Sequence, residues 1–331
     1  MSLYNVAIVG TGAVGETMVQ VLEERRFPVK HLKLLATSRS AGKQVLFQGE
    51  QHTVEATEQD SFRGIDIALF AGGKASQEFA HAAVEAGAVV IDNSSTFRLD
   101  PEVPLVVPEV NANDAKEHHG IIANPNCSTI IMVVPLKPIY DAVGISRVVV
   151  STYQAVSGAG REAMVELWEQ TQDVIFDRPF TPKAFPHQIA FNLIPHIDVF
   201  MENGYTKEEM KMVKETQKIL HDPDIRISAT TVRVPVLRSH SEAINIEINQ
   251  DISLEEVREL LSQAPGVRVI DNPDQLSYPM PIDASGQDDI LVGRLRKDIS
   301  CSNGLVLWVV GDQLRKGAAT NAIQIAELLI S

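Results

Sequence analysis

Apolar positions in the first part of the chain alternate between two spacings. Tyr4–Val9 is a continuous apolar, β-branched run, the pattern of a buried strand, and Val14, Met18, Val21 and Leu22 then recur at helical spacing. After Pro28, His31–Ala36 reads as a second strand, Ile65–Phe70 as a third, Ala75–Ala86 as a helix and Ala88–Ile91 as a further strand. This alternation predicts an α/β domain built on a doubly wound parallel sheet with helices on both faces. The second half changes character. Longer strands are predicted at Ile145–Gln154, Ile227–Val236, Ala243–Asn249, Ile290–Arg296 and Leu305–Val310, with helices near Glu162–Phe176, Lys207–Leu220 and Leu254–Ala264. Long strands separated by whole helices fit an α+β domain with one sheet face covered. The amphipathic stretch Ala318–Ile330 is expected to return to the first domain. The predicted division is 1–127, completed by about 312–331, and 128–311.

Composition narrows the classes of function. The 331 residues carry 43 acidic and 29 basic side chains, a formal net charge of −14, with no basic stripe. Nucleic acid is therefore an unexpected partner, because phosphate-backbone binding needs a dense basic surface. The longest apolar runs are too short to cross a bilayer, so no membrane partner is expected. Two cysteines, Cys127 and Cys301, make no disulfide framework, and the N-terminal residues lack a charged segment and cleavage site. A cytoplasmic enzyme without a metal site is the expectation.

Gly10-Thr11-Gly12-Ala13-Val14-Gly15 fits GxGxxG, directly after a predicted strand and opening a helix. Such glycines permit a tight turn and close backbone approach to a pyrophosphate at a helix N-terminus, which makes the first domain Rossmann-like. An NAD site normally has Asp or Glu at the end of the second strand. Here the segment Ala36-Thr37-Ser38-Arg39-Ser40-Ala41-Gly42-Lys43 has no carboxylate. Ser38 and Arg39 suit a 2′-phosphate, so the expected cofactor is NADP(H); a solvated basic loop is the alternative reading.

Asn124-Pro125-Asn126-Cys127-Ser128-Thr129 precedes an apolar stretch. With Asn126 as N-cap, Cys127 falls in a first helical turn, where the dipole stabilises a thiolate. Pro135 and Pro138 predict that this helix is short or kinked. Cys301 takes the ordinary reading of a free cysteine, an inert core residue.

These motifs come in an order that resembles the aspartate-β-semialdehyde dehydrogenase family. To the glycine loop and the cysteine motif are added Asp92-Asn93-Ser94-Ser95-Thr96-Phe97-Arg98, Pro108-Glu109-Val110-Asn111 and the run from Ser151 to Gly160. Glu208-Glu209-Met210-Lys211, Val232-Arg233-Val234-Pro235, His240-Ser241-Glu242 and Gly293-Arg294-Leu295-Arg296-Lys297-Asp298 continue the series through the second half. The chain departs from the family in its shorter glycine loop, where GxxGxxG is usual. It departs again at Gln313, where an asparagine near the nicotinamide carboxamide is usual.

The resemblance implies reductive dephosphorylation of L-aspartyl-4-phosphate to L-aspartate 4-semialdehyde and phosphate with NADPH. It places the reaction in the synthesis of lysine, diaminopimelate, threonine and methionine. It implies Cys127 as the nucleophile that forms a thioester, His240 as general acid/base and Gln154 as the residue orienting the acyl group. Arg233 would clamp the substrate α-carboxylate, Glu208 the ammonium, and Arg98 and Lys211 the phosphate, with Asn126 also at the substrate. Ser157, Gly158 and Gln313 would contact the cofactor, and the second domain would carry catalysis and a homodimer interface.

Sequence alone leaves some of this open. Glu208 and Lys211 share a helix face, yet Lys207, Glu208, Glu209, Lys211, Lys214 and Glu215 read as an ordinary solvated surface. Arg233 and His240, seven apart, would face opposite ways on one unbroken strand, so a bend at Pro235 or Leu237–Ser239 is required. The competing functions are an N-acetyl-γ-glutamyl-phosphate reductase-like enzyme and a non-catalytic NADP-binding homologue; a glyceraldehyde-3-phosphate-dehydrogenase-like reading fails on the residues around Cys127.

Overall fold

In the computed structural model, which describes residues 2–330, the chain forms two units. One comprises Met1–Asn126 and Gly317–Ser331, the other Cys127–Lys316.

The first unit is a seven-stranded sheet. Its strands and helices are β1 (Tyr4–Val9), α1 (Ala13–Glu24), β2 (Val29–Ala36), β3 (Gln44–Phe47), β4 (Glu50–Ala56) and β5 (Ile67–Phe70). They continue with α2 (Gly73–Glu85), β6 (Val89–Asp92), α3 (Pro108–Asn111) and β7 (Ile121–Ala123). The spatial order is β3-β4-β2-β1-β5-β6-β7. Val6–Val9 and Ile67–Phe70 are buried along their whole length, as central parallel strands covered on both faces must be. The sheet is not wholly parallel, and here the sequence reading is corrected. β3 and β4 form an edge hairpin whose turn residues Gln48 and Gly49 both have positive φ, 50° and 83°, the conformation that matches strand twist. β3 is only four residues long and β4 is mostly polar, so no clear apolar period marks the pair. The returning helix Thr320–Leu328 adds Ala322, Ile323, Ile325 and Ala326 to this core.

The second unit opens with α4 (Cys127–Val143) and β8 (Ile145–Gln154), followed by α5 (Arg161–Ile175), α6 (Lys207–Ile219), β9 (Arg226–Arg233) and β10 (His240–Ile248). It closes with α7 (Leu254–Gln263), β11 (Val267–Val269), α8 (Pro281–Ala284), β12 (Ile290–Lys297) and β13 (Gly304–Gly311). Its six strands lie in the order β11-β12-β13-β10-β8-β9. Along β8 and β10 burial alternates: Val148, Val150, Ile244, Ile246 and Ile248 are buried, while Val149, Ser151, Ala243 and Asn245 are half-buried. Period-2 burial means that one face is packed, and α4, α6 and α7 are the helices that pack there. α4 is not short. It runs 17 residues through both Pro135 and Pro138, and its apolar side chains are almost entirely buried, so packing holds what the prolines weaken.

Cys301 also departs from expectation. It lies half-buried in the turn between β12 and β13, with Sγ 3.4 Å from Asn303 Oδ1, and is not a core residue. Among the described residues no helix is long and apolar enough to cross a membrane, and no three His, Cys, Asp or Glu side chains are grouped to hold a metal.

Candidate active site

In the first unit the chain leaves β1 through Gly10, at φ +105°, a region glycine enters without strain. A Cβ on Gly15 would collide with the Gly10 carbonyl oxygen, so that position requires glycine for the turn to close. At Gly12, the N-cap of α1, a Cβ would meet nothing within 4 Å, and no side chain caps the helix. Ala13 and Val14 form its first turn. The N-terminus of α1 is thus a set of backbone donors facing open space, beside β5 where the strand order reverses. A dinucleotide pyrophosphate fits these features. Thr37, Ser38 and Arg39 follow β2, all exposed, with Ser38–Ser40 forming a single helical turn.

Arg98 is buried in the same unit. Its guanidinium donates to the Asn124 carbonyl at 2.9 Å and, through Nη2, to the Asn93 carbonyl at 2.9 Å. Asn124 in turn donates to Asn93 Oδ1 and accepts from Asn321 Nδ2, both at 2.6 Å. This asparagine chain, which ties the ends of β6 and β7 to the returning helix, was not visible in the sequence. Asn126 is also buried.

In the second unit one rung of the sheet carries the chemistry. Gln154 pairs with Arg233 across β8 and β9, and Ser241 pairs with Tyr153 across β10 and β8, which sets His240 beside Gln154. Arg233, Gln154 and His240 are all buried on the helix-covered face. The bend the sequence required is present: β9 ends at Arg233, β10 begins at His240, and Ser239 between them has φ +73°. The backbone of one residue, Ala155, serves both side chains. Its carbonyl accepts from Arg233 Nη1 at 2.6 Å, and its N–H donates to His240 Nδ1 at 3.0 Å.

That second bond fixes the imidazole. A backbone N–H can only donate, so Nδ1 is an acceptor and the ring proton of neutral His240 sits on Nε2. Nε2 is buried without a protein partner. Burial, and then Arg233, holds the His240 pKa well below the ordinary histidine value, so the ring stays neutral. Gly158 closes the rung: a Cβ there would lie 3.0 Å from Arg233 Nη1 and 3.2 Å from His240 Nε2.

Above the rung lies α6. Its N-terminus is fixed by a capping box between Thr206 and Glu209. Glu208, Glu209 and Glu215 are buried, which corrects the reading of this helix as an ordinary solvated face. Glu208 Oε1 accepts from Gln154 Nε2 at 3.2 Å, and its Oε2 accepts from Lys211 Nζ at 3.0 Å. Asp198 takes a second bond from Lys211 at 2.9 Å, a partner the sequence did not suggest. Burial lowers the Arg233 pKa, opposed by the negative charges of Glu208 and Cys127. Cys127 therefore stands in the electrostatic field of the rung. It is the first residue of α4, half-exposed, and Gly311 lets that helix lie close: a Cβ at 311 would be 2.8 Å from Ile131.

The structure thus gathers Cys127, Gln154, Glu208, Lys211, Arg233 and His240 on one side of the second sheet. Ser157 and Gln313 are bonded to each other through the Gln313 amide. The remaining predicted residues, Gly10 to Gly15, Ser38, Arg39, Arg98 and Asn126, belong to the first unit.

Residues 5–118 match the family model for the semialdehyde dehydrogenase NAD binding domain, and residues 136–316 match that for the semialdehyde dehydrogenase dimerisation domain. The chain is 61% identical to an aspartate-semialdehyde dehydrogenase of Aquifex aeolicus, over 99% of this chain and 98% of that one. It superimposes on the crystal structure of aspartate semialdehyde dehydrogenase II of Vibrio cholerae complexed with ASA with a TM-score of 0.97 at 53% identity, covering 100% and 99% of the two chains. The Candida albicans aspartate semialdehyde dehydrogenase with NADP gives a TM-score of 0.77 at 25% identity, with 99% of each chain covered.

Proposed function

The chain belongs to the aspartate-semialdehyde dehydrogenase family of oxidoreductases, and on that premise we propose that it converts L-aspartyl-4-phosphate to L-aspartate 4-semialdehyde and phosphate with NADPH. The observation that carries the proposal is the single rung of Arg233, Gln154 and His240, joined through the Ala155 peptide, within the field of Cys127.

Cys127 attacks the acyl phosphate as thiolate, the C–O bond to phosphate breaks, and a thioester forms on Sγ. Arg98 and Lys211 are the phosphate ligands. Arg233 grips the α-carboxylate through its fork, and Glu208 faces the α-ammonium. Gln154, its amide shared between Thr152 Oγ1 and Glu208 Oε1, is held to orient the acyl group. A dinucleotide held at the glycine loop would supply the hydride that reduces the thioester. His240 then donates a hydrogen bond through Nε2–H to the oxyanion of the tetrahedral thiohemiacetal and keeps its proton, so that the oxyanion can re-form the carbonyl. The C–S bond breaks, releasing the aldehyde and restoring the thiolate.

Ser38 and Arg39 support preference for a 2′-phosphate over a free ribose, and the NADP-bound Candida relative agrees with it. Ser157, Gly158 and Gln313 complete the cofactor side. The dimerisation-domain match supports a homodimer. The test is phosphate-dependent oxidation of L-aspartate 4-semialdehyde, followed with NADP⁺ and with NAD⁺. Turnover that requires phosphate and favours NADP⁺ is expected. Absence of turnover with aspartate semialdehyde beside activity on the N-acetylated glutamate analogue would overturn the substrate assignment.

A further inference from the structure

His240 opens β10 opposite Gly311, the last residue of β13. Continuing that antiparallel ladder by one step would pair Ser239 with Asp312, but Ser239 is in the left-handed region at φ +73° and cannot extend the strand. Side chains take over where the backbone ladder stops. Gln313 Oε1 accepts the Ser239 N–H at 2.8 Å. Asp312, wholly buried, accepts from Arg238 Nε and from the Gly286 N–H, each at 2.7 Å, through Oδ2. Its Oδ1 accepts from the N–H groups of Leu314 at 2.9 Å and Arg315 at 3.3 Å. Ser239 is further held by Ser285, hydroxyl to hydroxyl at 2.9 Å.

Asp312 therefore binds at once the turn before His240, the loop at Gly286 and the segment after β13. None of its contacts is to a residue named in the proposed chemistry. From these contacts we infer that Asp312 is a positioning residue for the reaction. It fixes Arg238, the residue before Ser239, so that His240 meets the Ala155 N–H with Nδ1 and turns Nε2–H toward the substrate. The strained φ at Ser239 needs such a clamp, because a non-glycine residue leaves the left-handed region unless its surroundings hold it there. Gln313, which also donates to Ser157, links the same turn to the segment carrying Gly158. This inference rests on the role proposed for His240.

The test uses the intact enzyme with Asp312→Asn, which turns an acceptor into a donor among four N–H groups. Loosening the turn should lower kcat by about tenfold to a hundredfold while KM for the semialdehyde stays within about twofold. In ¹⁵N-histidine spectra the wild-type His240 ring should be the Nε2–H tautomer, and Asp312→Asn should show both tautomers. A folded Asp312→Asn enzyme with unchanged kcat would overturn the inference. So would a fall in kcat with the His240 tautomer intact. If Asp312→Asn does not fold, Arg238→Ala decides, because Arg238 is one-third exposed and leaves three of the four bonds in place. A lower kcat at constant KM supports the clamp, and unchanged kcat overturns it. A His240→Ala enzyme with full kcat would instead remove the underlying reading of His240, and the inference with it.

Discussion

The two units solve their binding problems with different materials. The candidate cofactor site of the first is backbone: Gly10 for a turn, Gly15 for close packing, Gly12 for open space before α1. The candidate reaction site of the second is side chain: Arg233, Gln154 and His240 on a sheet rung, and Glu208 and Lys211 from a helix above it. A backbone site needs its residues within one turn of chain, so its signature is local. A side-chain site draws on strands paired by register, so its members are spread from position 127 to 313.

Substitution should separate the two kinds of site. Gly15→Ala carries the largest expected effect. The added methyl strikes the Gly10 carbonyl, so the turn must open at a cost of about 1–3 kcal/mol, and coenzyme binding should be lost. Gly12→Ala should fold normally, since nothing surrounds the added Cβ, yet bind coenzyme poorly; NADPH titration should show weak binding for both, and urea unfolding should show lost stability for Gly15→Ala alone. Arg233→Lys tests the side-chain site. It keeps the charge but loses the planar fork and the bond to the Ala155 carbonyl, so kcat/KM should fall by about a hundredfold with coenzyme binding unchanged. A near-normal value would remove Arg233 from the site.

Arg39→Asp should narrow the preference for NADPH over NADH by about one to two decades, the worth of a charge-assisted contact. Equal use of both coenzymes by the wild type would contradict the 2′-phosphate reading. The smallest effect concerns Glu242, next on the same face of β10 beyond His240, wholly buried with neither carboxylate oxygen bonded. Burial raises its pKa well above the ordinary value of 4.5. The folded state therefore holds a proton that the unfolded state releases, and stability falls as pH rises from the unfolded pKa to the folded one. Glu242→Gln removes that dependence, so its stability relative to wild type should grow by about 1.4 kcal/mol per pH unit within this window. A difference independent of pH, measured by urea unfolding, would contradict a neutral buried acid.

Legibility followed the same division. The strands Tyr4–Val9 and Ile145–Gln154 were readable from apolar runs, and the glycine loop from spacing, because each is a local pattern. The β3–β4 hairpin was not, since β3 is very short and the edge position buries little. On α6, Glu208 and Lys211 looked solvated because no sequence period reveals that α6 turns its acidic N-terminus onto a sheet. Resemblance to a family named them, and the structure places Glu208 buried and Lys211 half-buried, bonded to each other. Asp312 and the Ala155 peptide gave no signal, as both act through chain segments far away in sequence. Pro135 and Pro138 misled as to the length of α4, because its burial outweighs two missing hydrogen bonds.

The proposed chemistry passes through a covalent intermediate on Cys127. Enzyme mixed with L-aspartate 4-semialdehyde and NADP⁺ without phosphate, quenched in acid and digested, should show by mass spectrometry an aspartyl adduct on the peptide containing Cys127. Cys127→Ala should bind NADP⁺ yet show neither adduct nor turnover. An adduct on Cys301 instead, or full activity in Cys127→Ala, would contradict the account.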